Sequence, residues 1–204
     1  MNPNSNTDRR TAGPGRVDRG LHALGVLPAC LLWLACWQTP ALAQGQGQGQ
    51  LAIPDMPAMH DIPGAHELPD PALDYKIVFD ISSLAQSPDQ ISPALKTVAV
   101  LINSFEKNGV PADHLHLQAV FHGPTIVLVT DDATYKARTG TDRNPNAALL
   151  GELQKAGVKM VVCGQSAMAQ HYDFKSILPL AQINYSATVT FINLQTRGYI
   201  RMKE

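Results

Sequence analysis

Strand-like runs alternate with amphipathic stretches over most of this chain, and that alternation most limits how it can fold. Tyr75–Ile81 is β-branched and aromatic, which predicts a first strand. Ser92 and Pro93 follow as an N-cap with proline at the first helical position. Leu95, Val98, Ala99, Ile102 and Phe105 then recur at helical spacing, and Asn108-Gly109 closes the helix. Residues 114–121 predict a second strand, with Leu115, Leu117 and Ala119 on one face. Asn144-Pro145 repeats the capping device for a helix that buries Leu149, Leu150 and Leu153 and ends at Gly157. The run 158–162 is apolar except for Lys159, which suits a strand covered on both faces. Strands alternating with helices predict an α/β domain, a mostly parallel sheet with helices on both faces.

The later elements are less plainly marked. Ser166 is placed to cap a helical turn, and Asp173 another before Pro179. Residues 182–185 read as a short strand and 199–202 as the last one. Ser186 can cap a helix ending near Gly198, whereas Thr188, Val189 and Thr190 favour strand. Residues 125–130 are equally divided. Their side chains favour β structure, but their place after His122-Gly123-Pro124 suits a helix start.

The ends of the chain bear on where it works. Arg9, Arg10, Arg16 and Arg19 precede an apolar run over residues 21–37, and Ala41-Leu42-Ala43 follows. A basic start, a short apolar core and Ala-x-Ala form a secretory signal peptide over residues 1–43, cleaved near Ala43. The apolar run is shorter than the roughly 20 residues that a spanning helix needs, so no membrane span is expected in the mature form. The expected location is periplasmic or secreted. Residues 44–50 alternate Gln and Gly, and 51–73 carry Pro54, Pro57, Pro63, Pro69 and Pro71 without periodicity. Residues 44–73 therefore read as a flexible leader to a domain over 74–204. Met56, Met59, His60 and His66 in that leader could catch a soft metal, but without a folded frame the linker reading is preferred.

Cleavage removes four Arg and two Asp from 16 basic and 17 acidic residues, leaving 12 and 15 and a formal charge of −3. So small an imbalance does not point to nucleic acid or an anionic membrane as partner. Cleavage also removes Cys30 and Cys36, which leaves Cys163 alone in an oxidising compartment, where it has no intrachain partner. A lone thiol there is either packed and inert or kept for its reactivity.

Ligand sites in parallel sheets gather at the carboxyl ends of the strands. Two such ends stand out, His122-Gly123 and Cys163-Gly164. With Gln165 and Ser166 they form the candidate site: Cys163 as the reactive group, and His122, Gly123, Gly164, Gln165 and Ser166 as binding residues. A helix start just beyond the sulfur favours a thiolate. His114 and His116 alternate on the predicted strand, but no third ligand is evident, so neither a metal nor any other cofactor is expected.

At these residues the chain resembles the DsrE/DsrF-like family of small α/β proteins associated with sulfur metabolism. The resemblance rests on Phe121-His122-Gly123-Pro124, Asn144-Pro145-Asn146, Ala156-Gly157-Val158 following Leu153, Val162-Cys163-Gly164-Gln165-Ser166, and Leu194-Gln195 before Gly198-Tyr199. It covers residues 74–202. It implies a three-layer α/β/α fold with a five-stranded parallel sheet, and helical conformation for both ambiguous segments. It also implies a homo-oligomer, trimer or hexamer, and persulfide sulfur on Cys163 exchanged with a sulfur-donor or acceptor protein. Two functions follow: an exported persulfide carrier or thiol-handling protein using Cys163, or a non-catalytic small-ligand module or oligomeric scaffold with a structural cysteine. A thioredoxin-type oxidoreductase is a weak third reading, since the mature chain lacks Cys-x-x-Cys.

Overall fold

The computed structural model describes residues 51–204, so the expected signal peptide over residues 1–43 and the Gln/Gly run lie outside the described residues. Five parallel strands form one sheet in the order β4-β3-β2-β1-β5. They are β1 (Tyr75–Ile81), β2 (Leu115–Phe121), β3 (Lys159–Cys163), β4 (Ala181–Asn184) and β5 (Ile200–Lys203). Between them lie α1 (Pro93–Lys107), α2 (Asp132–Thr139), α3 (Ala147–Lys155), α4 (Gly164–Ala169) and α5 (Ala187–Thr196), with a 3-10 helix over Gly123–Val129.

The strand order decides which face each helix covers. From β1 the chain steps outward through β2 and β3 to β4, then returns past β1 to β5. Right-handed crossovers put helices of the outward steps on one face and α5 alone on the other. The two buried clusters agree with this. Ile77, Phe79 and Ile81 of β1 join the large core with Leu95, Ile102, Leu150 and Leu153. Val78, Val120, Val161 and Cys163 join the small one with Ala187, Phe191 and Leu194 of α5.

Both ambiguous segments are helical. In α5, Ala187, Thr190, Phe191 and Leu194 are the buried positions, a helical and not an alternating set. Ser186 caps it, its Oγ accepting from Val189 N at 3.1 Å. Ile126, Val127, Leu128 and Val129 are all buried, so packing overrides their β preference. The Thr125 hydroxyl anchors this turn by donating to Ile81 O at 2.7 Å.

Three details differ from the expectation. Strand β2 starts at Leu115, because His114 belongs to a preceding 3-10 turn and its Nδ1 lies 3.0 Å from Pro71 O. His116 instead lies 3.5 Å from Asp74, so the two histidines do not form a pair on one strand face. Asn144 does not cap α3. The side chain of Asn144 donates to Leu128 O and Thr130 O, and its Oδ1 accepts from Asn146.

The largest correction concerns residues 51–73, expected to be a flexible leader. Residues 52–61 lie as a strap along α1, and all of 51–73 belongs to the same compact unit as the domain. Ile53 is buried in the main core. The fully buried Asn103 receives Ile53 N at 3.0 Å and donates to Ile53 O at 3.0 Å and Met56 O at 2.7 Å. Ser104 Oγ receives Met59 N at 2.8 Å. Polar groups on a helix, spaced to bind a backbone that has no period of its own, hold the strap. No pattern within the strap itself announces this.

Candidate functional site

The carboxyl ends of β2 and β3 carry the predicted site. The β2–β3 register ends at Phe121 opposite Val162, so the next residues in step are His122 and Cys163. Side chains alternate across a strand, which puts His122 with Gln118 and Val120, and Cys163 with Lys159 and Val161, on the α5 face. Neighbouring strands lie roughly 5 Å apart, so the two residues are adjacent.

Cys163, not Ser166, caps α4. Its Sγ accepts the Ser166 N–H at 3.4 Å. Burial opposes ionisation of this thiol. Hydrogen bonding from Ser166, through both hydroxyl and backbone, and from the N–H groups of Ala187 and Gln165 outweighs it and holds the thiol below its ordinary value. The sulfur thus faces the first turns of two helices, α4 and α5. The residue is only 3% exposed.

The expected binding residues take different parts. Gly164 is needed for its size: a Cβ there would lie 2.8 Å from Asn184 O and 3.3 Å from Ile183 Cγ2. This close approach lets β4 pair beside β3 right up to Cys163 and Asn184. Gly164→Val is expected to destabilise by about 1–3 kcal/mol, since a backbone carbonyl must give way. A urea titration checks it, and an unchanged midpoint would show that β4 shifts freely. Gly123 has φ +54, which turns the chain out of β2. Gln165 is exposed, and its N–H donates to Tyr185 O at 3.3 Å.

Three residues here were not singled out from sequence. Gln170 joins the two loops, its Nε2 donating to Gly123 O at 2.7 Å and Ser166 O at 3.2 Å. Asp80 is 2% exposed and lies 2.6 Å, through Oδ1, from His122 Nε2. Its Oδ2 accepts from Arg201 Nε at 3.2 Å and from Arg201 Nη2. Burial raises the Asp80 carboxyl, but the Arg201 and His122 bonds and charges prevail and keep it below the usual carboxylate range. Arg201 also stacks on Phe191, 4.0 Å from the ring centre, and His122 meets the same ring edge-on at 6.1 Å. A lone acid inside the otherwise apolar run 77–81 was the available signal for Asp80, since a buried charge must be paired.

Among the described residues no three His, Cys, Asp or Glu are grouped to hold a metal, and no helix is long and apolar enough to cross a membrane. None of the curated proteins matches the chain. Among solved structures it is similar to MTH1491, a protein of unknown function from Methanobacterium thermoautotrophicum. The two share 18% identity over 64% of this chain and all of the other, with a TM-score of 0.46. The model of the DsrE/DsrF-like family matches residues 76–203, from the second residue of β1 to the last of β5. The chain belongs to the DsrE/DsrF-like family, which is linked to sulfur relay.

Proposed function

We propose that this protein is an exported carrier of sulfane sulfur that holds it as a persulfide on Cys163. The donors around Sγ carry this reading: the Ser166 N–H at the start of α4 donates to the sulfur at 3.4 Å, and the thiol is held below its ordinary value. Such donors favour a thiolate, the attacking form, and would equally hold a persulfide anion. In the transfer, the Cys163 thiolate attacks the outer sulfur of a donor persulfide. A new S–S bond forms to Cys163, the donor's S–S bond breaks, and the donor leaves as a thiolate that takes up a proton. No net oxidation occurs. Export rests on the Arg-rich start and Ala41-Leu42-Ala43. Self-association into a closed trimer or hexamer draws support from the family and from Val189 and Ile192, which α5 leaves exposed.

One observation favours a binding module or scaffold with a structural cysteine. Cys163 packs among Val78, Val120, Val161, Phe191 and Leu194 and is almost closed to solvent. Exposure of the native protein to a persulfide donor, followed by peptide mass mapping, separates the two. The carrier reading expects one added sulfur on the Cys163 peptide, removed by a reducing thiol. Sulfur that adds only after denaturation would make the cysteine structural.

A further inference from the structure

On the α5 face the sheet is covered unevenly. Val78, Val120, Val161 and Cys163 pack under α5. Gln118, Lys159, Gln182 and Asn184 share that face by alternation, yet are left half-buried or exposed. A single helix does not span five strands, and a groove of about 260 Å³ remains beside it. Its wall on the helix side is one face of α5, with Ser186, Val189, Thr190, Asn193, Leu194 and Arg197 at helical spacing. Gln118 and Asn184 of the sheet line it opposite.

The groove is polar and short of partners. Among the described residues the side chains of Gln118, Asn193 and Arg197 make no hydrogen bond, and Asn184 uses only its Nδ2, which donates to Thr190 Oγ1 at 3.0 Å. The carboxamides of Gln118, Asn184 and Asn193 offer donors and acceptors together, as a peptide backbone requires. Arg197, and Lys159 in register with Gln118, make one end cationic. No acid in β2, β3, β4 or α5 offsets them. The other end reaches Asn184, the register partner of Cys163. The helix wall is ten residues long, roughly 15 Å, which an extended peptide of about four residues would span.

We propose that this groove binds a small anionic molecule of peptide type, its carboxylate on Arg197, and that this molecule is the donor whose sulfur Cys163 takes up. The binding site stands on the groove alone, and the sulfur it delivers rests on the carrier reading. The guanidinium of Arg197 fits a carboxylate in two parallel bonds, while Lys159 adds charge without that geometry. Asn193 and Gln118 meet the amide groups that follow. The donor is then a short acidic peptide persulfide. The Cys163 thiolate bonds its outer sulfur, the donor's S–S bond breaks, and the departing peptide thiolate takes a proton from water. Bonds and charge balance without an oxidant.

The probe is S-methylglutathione, a carboxylate-bearing tripeptide whose blocked sulfur cannot exchange, titrated into the native protein by calorimetry. Saturable binding is expected, unchanged in Cys163→Ser and about tenfold weaker in Arg197→Gln, with a smaller loss in Asn193→Ala. It should also weaken as salt rises. Arg197 and Asn193 are both exposed, so these variants keep the fold. No saturable binding, or equal binding by Arg197→Gln, would overturn the site. Inorganic sulfate that competes as well as the tripeptide would overturn the peptide class, since charge alone would then be read. Sulfur transfer is scored separately, with glutathione persulfide as donor and intact mass as readout. Loading at low donor concentration should slow in Arg197→Gln, and equal loading would overturn the donor assignment. A protein that binds the thioether but takes up no sulfur keeps the site and refutes the carrier reading. One that loads sulfur without binding the thioether keeps the carrier reading and loses the site.

Discussion

Asn103→Ala should lower stability by about 3 kcal/mol and open residues 51–73 to proteolysis. The side chain of Asn103 is fully buried and makes three bonds to the strap, two of them closing a ring with both backbone groups of Ile53. Alanine leaves the Ile53 N–H and C=O without partners in a buried setting, and each such group costs about 1–3 kcal/mol. It also removes the register that seats Ile53, so apolar surface is lost with the bonds. Asn103→Asp sharpens the test: it keeps the acceptor for Ile53 N but loses both donated bonds, so it too should loosen the strap. Chemical denaturation and limited proteolysis of the same samples read both effects. Full stability with a protease-sensitive strap would mean that residues 51–73 add nothing to the domain. Full stability with a resistant strap would mean that Ser104, Glu106 and Lys107 hold it without Asn103.

The legible part of the fold was the part governed by periodicity. The spacing of Leu95, Val98, Ala99 and Ile102 marks α1 because one helical face meets one core, and 158–162 reads as β3 because the sheet is covered on both faces there. Ile126 to Val129 and Thr188 to Thr190 were ambiguous for the opposite reason. Their β-branched side chains suit a strand locally, and only burial against the sheet decides for helix. The strap was illegible because its partners lie elsewhere: Asn103 and Ser104 look like ordinary polar positions on a helix until a backbone is seen lying on them.

The site divides in the same way. Cys163 and His122 were visible as polar punctuation at strand ends, where a parallel sheet places ligands. Asp80 sits two residues before the first loop, inside a run that reads as core, and its partner Arg201 lies on the strand added last. Nothing local links the two residues. They meet because β5 returns to the far side of β1, and that crossing brings a cation to a buried acid. Family membership covers the fold from β1 to β5 and the link to sulfur relay, while the chemistry at this edge has to be argued from the residues themselves.

Cys163→Ser should abolish sulfur loading while changing stability by no more than about 1 kcal/mol. Serine can take over the capping bond, since its hydroxyl oxygen accepts the Ser166 N–H that Sγ accepts now, and serine is among the preferred N-cap residues. What it gives up is a modest amount of apolar contact with Val161 and Phe191. Cys163→Ala makes the complementary change. It stays apolar but removes the cap acceptor, so α4 should lose about 1 kcal/mol with an N–H left facing no partner. Both variants lack a nucleophilic sulfur and should take up no sulfane sulfur from a persulfide donor, by intact mass. The stability pair then says what the cysteine is for. Near-native serine and weakened alanine mark the thiol as a cap whose reactivity is dispensable for folding, as a carrier requires. Alanine more stable than serine, with serine losing several kcal/mol, would mark an apolar packing element, and the carrier reading would fall with it.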